Sequence, residues 1–181
     1  NFGGLLSIQY QLFSLSNMHL TEPTLPHHIA YFQNNKTHVM ALTSRGPNSR
    51  NSTERELSEA KINFALTAPG KSIAESFIPE GEERLASYQN GVFMTSGMHK
   101  GKMLSYLLKR FNKDYQFIIF IDDHKKHTDR VYDTFKTTAT DITTFRYGKE
   151  DARVLSFQES NKSESIKLGK EFMSLVDKLT L

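Results

Sequence analysis

The alternation of short apolar runs with amphipathic segments constrains the fold of this chain more than any other feature. The most strongly apolar run, Phe117–Ile121, has the length and β-branched content of a buried strand. A helical pattern precedes it, from about Met103 to Phe111, and another follows it, from about Lys125 to Phe135. Such alternation is typical of α/β domains in which helices cover a parallel sheet. We therefore predict a doubly wound, mostly parallel, Rossmann-like sheet with helices on both faces.

The same patterns place the other elements along the chain. A helix is predicted from Glu22 to a polar stop at Asn34, and residues 53–56 have the form of a capping box that opens a short helix through about Ala60. Residues 67–90 show no clear period, and a connection of that length is typically functional or mobile. The remaining predicted elements are strands at Thr37–Thr43, Ile62–Leu66, Gly91–Thr95 and Ile142–Tyr147, a helix at Lys149–Leu155, and a final core-packed helix at Ser163–Leu179.

Length and composition limit the classes of protein that fit. The 181 residues, 38% hydrophobic and 24% charged, are predicted to form one domain with a sizeable core. No run approaches the roughly 18 apolar residues that a membrane helix needs, so no membrane span is predicted. The absence of cysteine excludes disulfides, thiolate metal ligands and a cysteine nucleophile. A net charge of +3 is too even a balance to indicate nucleic-acid binding by itself.

The aspartates are distributed unevenly. Every one lies at or after position 114, and the earlier part of the chain has none. These 181 residues therefore cannot supply a reaction that needs an aspartate from the early part of the domain. The aspartates present are Asp114, Asp122, Asp123, Asp129, Asp133, Asp141, Asp151 and Asp177.

Polar side chains follow three of the predicted strands, directly for two of them and after a short loop for the third. In an open parallel sheet, ligands bind beyond the carboxyl ends of the strands. We therefore expect these side chains to form one site that offers hydroxyl donors, cations and a carboxylate pair. They are Thr43, Ser44 and Arg45 after the first strand, Lys100 after the third, and Asp122 and Asp123 after the most apolar one.

Two adjacent carboxylates at the end of a buried strand indicate a bound cation, because like charges side by side are unfavourable without one. Mg²⁺, which prefers oxygen ligands, would relieve the repulsion between Asp122 and Asp123. An ammonium group and a hydroxyl suit phosphoryl oxygens, so the whole set favours phosphoryl transfer. Two alternatives stay open. The aspartates could simply cap the next helix, or His124 and His127, at helical spacing, could join them in a transition-metal site.

The same residues carry a family resemblance. ALTSRG at 41–46, HKG at 99–101 and FIIFIDD at 117–123 resemble, in order, the second, third and fourth motifs of the haloacid dehalogenase superfamily. The resemblance is closer to a bacterial branch of it, formerly of unknown function, some of whose members are secreted effectors or exported proteins. It covers about residues 20–155. The segments that carry this closer match are LTSRGP at 42–47, TERELS at 53–58, IFIDDHKKH at 119–127 and FRYG at 145–148.

The resemblance implies a Mg²⁺-dependent phosphatase that acts on a phosphorylated small molecule or a phosphoprotein. The stretch of about 24 residues after Leu66 is short for a full capping domain, so we expect an open site, and phosphotyrosine is the first substrate to test. Lys102 is a second candidate for the lysine role, but Lys100 precedes glycine as in the branch pattern. The implied roles are phosphoryl binding by Thr43, Ser44 and Arg45, charge neutralisation by Lys100, and Mg²⁺ binding by Asp122 and Asp123.

The chain departs from the superfamily at its first motif. That motif is an Asp-x-Asp pair on a central strand, in which the first aspartate attacks phosphorus and the second protonates the leaving group. No aspartate precedes Thr43. We expect the strand that bears this motif to lie outside these 181 residues, and this chain alone to form no aspartyl-phosphate. The alternative, from a different class of protein, is a catalytically inactive module of the same fold that binds a protein partner.

Overall fold

The computed structural model describes residues 10–179, which divide into two compact units. The larger unit is Phe13–Tyr147, and the smaller one combines residues 148–179 with residues 10–12. The helices of the larger unit are α1 (Leu25–Asn34), α2 (Arg50–Glu59), α3 (Lys100–Arg110) and α4 (Lys125–Phe135), with 3₁₀ turns at Pro47–Ser49 and Phe64–Thr67. Its strands are β1 (Ala41–Thr43), β2 (Ser87–Gln89), β3 (Val92–Met94), β4 (Phe117–Asp122) and β5 (Asp141–Arg146). The smaller unit contains helices α5 (Asp151–Glu159) and α6 (Ser163–Leu179).

The five strands form two small sheets. In the first, β3 lies between β1, to which it is parallel, and β2, to which it is antiparallel. In the second, β4 and β5 pair in parallel, with Phe117 opposite Asp141 and Asp122 opposite Arg146. The prediction of an α/β chain with mostly parallel strands is confirmed. The described strands form two ladders rather than one continuous sheet.

Helix α3 is the centre of the larger unit because two of its faces are apolar. Met103 and Leu107, one turn apart, join a cluster with residues of β2 and β3, which includes Tyr88 and Phe93. Leu104 and Leu108 join a second cluster built from α4, β4 and β5. Met40 and Leu42 pack against both clusters. The apolar periodicity of α3 therefore fixes the positions of the strands on either side of it.

Strand β4 is buried on one face only among the described residues. Phe120 and Asp122 are 8% exposed, whereas Phe117, Ile119 and Ile121 are 51%, 51% and 62% exposed. Side chains alternate across a strand. The prediction of a buried strand therefore holds for one face of β4 only in the described part of the chain, and the alternation points Asp122 toward the core.

Two local predictions are wrong, one at the predicted strand Ile62–Leu66 and one at the predicted capping box. The Asn63 side chain accepts a hydrogen bond from the Ala65 amide and opens the 3₁₀ turn at Phe64–Thr67, where a strand was predicted. Helix α2 begins at Arg50, ahead of the predicted capping box. Thr53 therefore lies inside the helix and is not its cap.

The segment predicted to lack regular structure contains a hairpin. Asn90 and Gly91 both have positive φ, 51° and 72°, which is the conformation that a tight two-residue turn between antiparallel strands requires. This turn connects β2 to β3. The predicted strand Gly91–Thr95 is confirmed as β3, while the predicted strand Thr37–Thr43 is limited to the three residues of β1.

The smaller unit is helical in its described part. Helix α6 has the predicted bounds, and α5 runs to Glu159, past the predicted end. The prediction that α6 packs into a core is wrong for Ile166 and Leu175, whose side chains are 56% and 59% exposed. None of the helices in residues 10–179 is long and apolar enough to cross a membrane.

Candidate functional site

A buried ion pair at the end of β4 is the centre of the candidate site. The Lys100 Nζ atom lies 2.5 Å from Asp122 Oδ2, and the two side chains are only 8% and 4% exposed. Asp122 points inward because it shares the buried face of β4 with Phe120. Removing two charges from water is unfavourable unless each compensates the other. The structure thus buries the Lys100 ammonium group and the Asp122 carboxylate together at the carboxyl end of β4.

Lys100 reaches this position because α3 begins there. His99 is the N-cap residue, with extended backbone, and its Nδ1 accepts a hydrogen bond from the Lys102 amide at 3.2 Å. The N-terminus of a helix carries partial positive charge, so a lysine in the first turn is electrostatically unfavourable there. Asp122 supplies the compensating charge. The helix end therefore does not by itself account for a lysine at this position.

Gly101 allows α3 to approach α4 closely enough for this contact. A Cβ atom at Gly101 would collide with the Arg130 carbonyl oxygen and with Thr134 Oγ1. The Thr134 hydroxyl donates to that same carbonyl at 2.8 Å, so neither atom can easily move away. Close helix packing of this kind requires glycine at the contact. Gly101 thus sets the position of Lys100.

Hydrogen bonds also join the end of β1 to the segment that leads to Lys100. The Thr95 amide and hydroxyl both donate to the Thr43 carbonyl, at 3.0 Å and 2.9 Å, and the Ser96 amide donates to the Arg45 carbonyl at 3.0 Å. The Thr43 hydroxyl accepts from the Arg45 amide at 3.2 Å. Among the described residues the Thr43 hydroxyl proton has no acceptor. It therefore remains able to donate to a ligand.

The two adjacent aspartates differ in environment. Asp122 Oδ1 accepts from the His124 amide at 2.9 Å while its other oxygen binds Lys100. The Asp123 side chain is 71% exposed and approaches His124 Nε2 at 3.7 Å. Asp122 therefore holds the lysine and the turn that precedes α4, but the N-cap of α4 is His124 and no side chain caps the helix, so the alternative that the aspartates cap it is wrong. Asp123 presents a solvated carboxylate beside it.

Three other predicted residues lie in different settings. Ser44 is exposed, and Lys102 is exposed, so Lys100 rather than Lys102 faces the carboxylate. The Arg45 guanidinium lies 3.8 Å above the Phe13 ring and donates to Thr53 Oγ1 at 3.2 Å. Burial lowers the pKa of Arg45, and Glu56 partly opposes this effect. The Arg45 side chain is thus held on α2 in this conformation.

His127 also lies at the site, although the sequence suggested it only as a possible ligand of a transition metal. Burial, followed by the nearby Lys100 charge, lowers the pKa of His127, and Asp122 opposes the shift. Its Nδ1 atom is buried with no hydrogen-bond partner among the described residues. The His127 ring packs edge-on against His124 at a centroid distance of 5.6 Å. The helical spacing of the two histidines was the available signal for their proximity.

The donor set suits a hard cation more than a transition metal. The described residues contain no group of three or more His, Asp or Glu side chains placed to hold a metal ion. Mg²⁺ commonly binds one or two protein carboxylates together with water and substrate phosphates. Asp122 and Asp123 could supply those carboxylates, and the exposure of Asp123 leaves room for water. The two carboxylates are of the donor type that Mg²⁺ prefers, but they are fewer than the three side chains of a metal group formed by the described residues alone.

Comparison with known proteins gives one match. A family model described as "Protein of unknown function (DUF2608)" matches residues 5–174. No curated protein and no solved structure matches the chain. Because the family model covers nearly all of the sequence, the chain belongs to the DUF2608 family.

Proposed function

We propose that this protein is a Mg²⁺-dependent phosphatase of the haloacid dehalogenase type that hydrolyses a phosphate monoester. The observation that carries the proposal is the buried Lys100–Asp122 pair at the end of β4, next to the exposed carboxylate of Asp123. A lysine and two carboxylates beyond strand ends suit the binding of a phosphoryl group and its metal. The sequence resemblance assigns the same residues to that task.

The proposed reaction requires a nucleophile that this chain does not contain. An aspartate carboxylate from an Asp-x-Asp strand would attack phosphorus, and the ester oxygen would leave with a proton from the second aspartate. Water would then hydrolyse the acyl phosphate and release inorganic phosphate. Lys100 would hold positive charge beside the phosphoryl oxygens, and the Thr43 hydroxyl would donate to one of them. Mg²⁺ on Asp122 and Asp123 would add positive charge at the phosphoryl group.

The strand arrangement offers a place for that Asp-x-Asp strand. Within the described residues, β1 pairs only with β3, and β4 pairs only with β5, so each has one edge without a strand partner. Met40 and Leu42 pack into the same core cluster as Phe120. A parallel strand between β1 and β4 would connect the two ladders into one doubly wound sheet. Its carboxyl end would lie between Thr43 and Asp122.

A second candidate function is an inactive module of the same fold that binds a protein partner. The lack of any aspartate before position 114 favours it. The two candidates differ in what the complete reading frame encodes. An Asp-x-Asp strand upstream supports the enzyme, and a reading frame without one would leave the binding module as the better account.

Turnover of para-nitrophenyl phosphate by the protein expressed from its complete reading frame tests the proposal. Hydrolysis should require Mg²⁺, disappear with EDTA and return when Mg²⁺ is restored. The 181-residue chain alone, measured in parallel, should be inactive because it has no nucleophile. Hydrolysis that is indifferent to EDTA, or activity of the short chain, would contradict the proposal. Phosphotyrosine peptides are the next substrates to compare.

A further inference from the structure

A cavity lies at the end of the first sheet opposite the candidate site. It has a volume of about 670 Å³ and is bordered by the segment 65–72, by the Asn90–Gly91 turn and by the end of α3. Gly91 directly precedes β3, so the cavity is at the amino end of that strand. Lys100, in contrast, follows the carboxyl end of β3. The cavity is therefore separate from the candidate phosphatase site.

The charged residues that border this cavity all have the same sign. Lys71, Arg110 and Lys113 border it, and no acidic residue does. Arg110 donates to the Tyr106 hydroxyl at 2.8 Å and lies over the Phe77 ring, so it is positioned by neutral groups rather than by a carboxylate. Lys71 and Lys113 form no ion pair with any described residue. Three cations that share a concave surface without a counter-ion repel one another and favour an anion.

The effect of this charge extends to a neighbouring histidine. Burial lowers the pKa of His38, and the Lys113 charge is the next cause. His38 Nδ1 and the Tyr115 hydroxyl are hydrogen-bonded at 2.7 Å. Lys113 therefore lies close enough to His38 to disfavour the protonated form of its ring.

The other bordering groups suit an organic molecule. The Phe111 ring is partly buried against Gly70, where a Cβ atom would overlap the ring, and it forms one wall of the cavity. Ser72 Oγ accepts a hydrogen bond from the Asn90 backbone amide at 2.9 Å, and both residues border the opening, while the Asn90 side chain donates to Glu54 Oε1 at 3.3 Å. The volume lies within the range of about 300–1,000 Å³ that is usual for small-molecule pockets.

We propose that this cavity binds a small organic molecule that carries two or more phosphate groups, such as a nucleoside diphosphate. The phosphates would contact Lys71, Arg110 and Lys113, and the organic part would pack against Phe111. Lysine and arginine are the usual protein partners of phosphate groups. This inference is independent of the proposed phosphatase activity, because it uses none of the residues near Lys100.

Calorimetric titration of the protein from its complete reading frame with ADP, in EDTA so that no metal contributes, tests the inference. ADP should bind, and adenosine should not bind measurably, because the phosphates carry the recognition. The double variant Lys71→Gln/Lys113→Gln should weaken ADP binding at least about tenfold. The matched double variant Lys36→Gln/Lys61→Gln removes two exposed positive charges that do not border the cavity, and it should bind ADP as the unaltered chain does.

Three results would overturn the inference. They are no ADP binding by the unaltered chain, adenosine binding as tight as that of ADP, and an equal loss of affinity in the two double variants. All four substituted lysines are exposed, so both variants should keep the thermal midpoint of the unaltered chain. A loss of binding that appears only in Lys71→Gln/Lys113→Gln supports the site.

Discussion

Lys100 and Asp122 are 22 residues apart in sequence, yet their side chains meet at 2.5 Å in the interior of the larger unit. One begins a helix and the other ends a strand, so the contact depends on how α3 packs beside β4. A contact of this kind has two separable consequences. It contributes to the stability of the fold, and in the proposed function it provides the charges that a phosphoryl group and its metal require.

The stability consequence can be measured without any assumption about function. Lys100→Met and Asp122→Asn should each lower the free energy of unfolding by about 3–5 kcal/mol, because each leaves one buried charge uncompensated. The double variant should lose at least about 1 kcal/mol less than the sum of the two single losses, since it leaves no isolated charge. Urea denaturation of the four proteins gives the coupling. Strictly additive losses would show that the two charges do not interact.

The close packing of α3 against α4 gives a prediction with an internal control. Gly101→Ala should destabilise the protein by roughly 1–3 kcal/mol, because the added methyl group meets the Arg130 carbonyl and Thr134. Gly169→Ala, in α6, meets nothing within 4 Å and should stabilise its helix by up to about 1 kcal/mol. Denaturation midpoints compare the two. Tolerance of Gly101→Ala would mean that α3 and α4 are farther apart than described.

His99 predicts a dependence of stability on pH. Burial, followed by the Arg130 charge, lowers the pKa of His99 from 6.5, so the fold favours its neutral form. A histidine whose pKa is lowered contributes stability that is fully present above its unfolded pKa and is lost as the pH falls through the folded pKa. The free energy of unfolding should therefore fall as the pH is lowered from neutral through 6.5 and further into acid.

Two substitutions at His99 distinguish its role as the N-cap residue of α3 from the effect of protonating its ring. His99→Asn keeps an N-cap acceptor that does not titrate, so it should retain stability at neutral pH and show a smaller loss in acid. His99→Ala also removes the titration, but it should lose about 1 kcal/mol at neutral pH because the cap is gone. Urea denaturation at several pH values measures both. An unchanged pH profile in His99→Asn would contradict this role of His99.

Thr43 gives a prediction that depends on the proposed function. Thr43→Val removes the hydroxyl that would donate to the substrate and should reduce kcat about 100-fold, while Thr43→Ser should keep most of the activity. Thr43→Val also removes the weak acceptor of the Arg45 amide, at 3.2 Å, so a small loss of stability is expected. Steady-state kinetics on the protein from its complete reading frame provides the comparison. Equal activity of the valine and serine variants would exclude Thr43 from the reaction.

Periodicity in the sequence predicted the elements around the candidate site well. The bounds of α4 agree with the prediction, and β4 ends at the predicted aspartates, because a long apolar run and a regular amphipathic pattern leave few alternatives. The hairpin between β2 and β3 was missed although Asn90-Gly91 is a strong turn signal. The short strand β2 has no apolar alternation of its own to mark it.

Contacts between distant segments could not be read from the pattern. Adjacent in sequence, Asp122 and Asp123 looked equivalent, but strand alternation buries one and exposes the other. Arg50 is a similar case. No sequence pattern singled it out, yet it is only 9% exposed and donates to the carbonyls of Ser87 and Val92. Both environments depend on packing that lies far away along the chain.

Hydrolysis of para-nitrophenyl phosphate by Asp122→Asn and Asp129→Asn, each made in the protein from its complete reading frame, tests the central claim most directly. Asp129 is on α4, exposed and paired with Lys125 at 2.7 Å, and it has no place in the proposed site. With Mg²⁺ present, Asp122→Asn should lose at least about 100-fold in kcat/KM while remaining folded at the assay temperature, and Asp129→Asn should keep its activity. Equal activities in the two variants would show that the Lys100–Asp122 pair supports the fold alone.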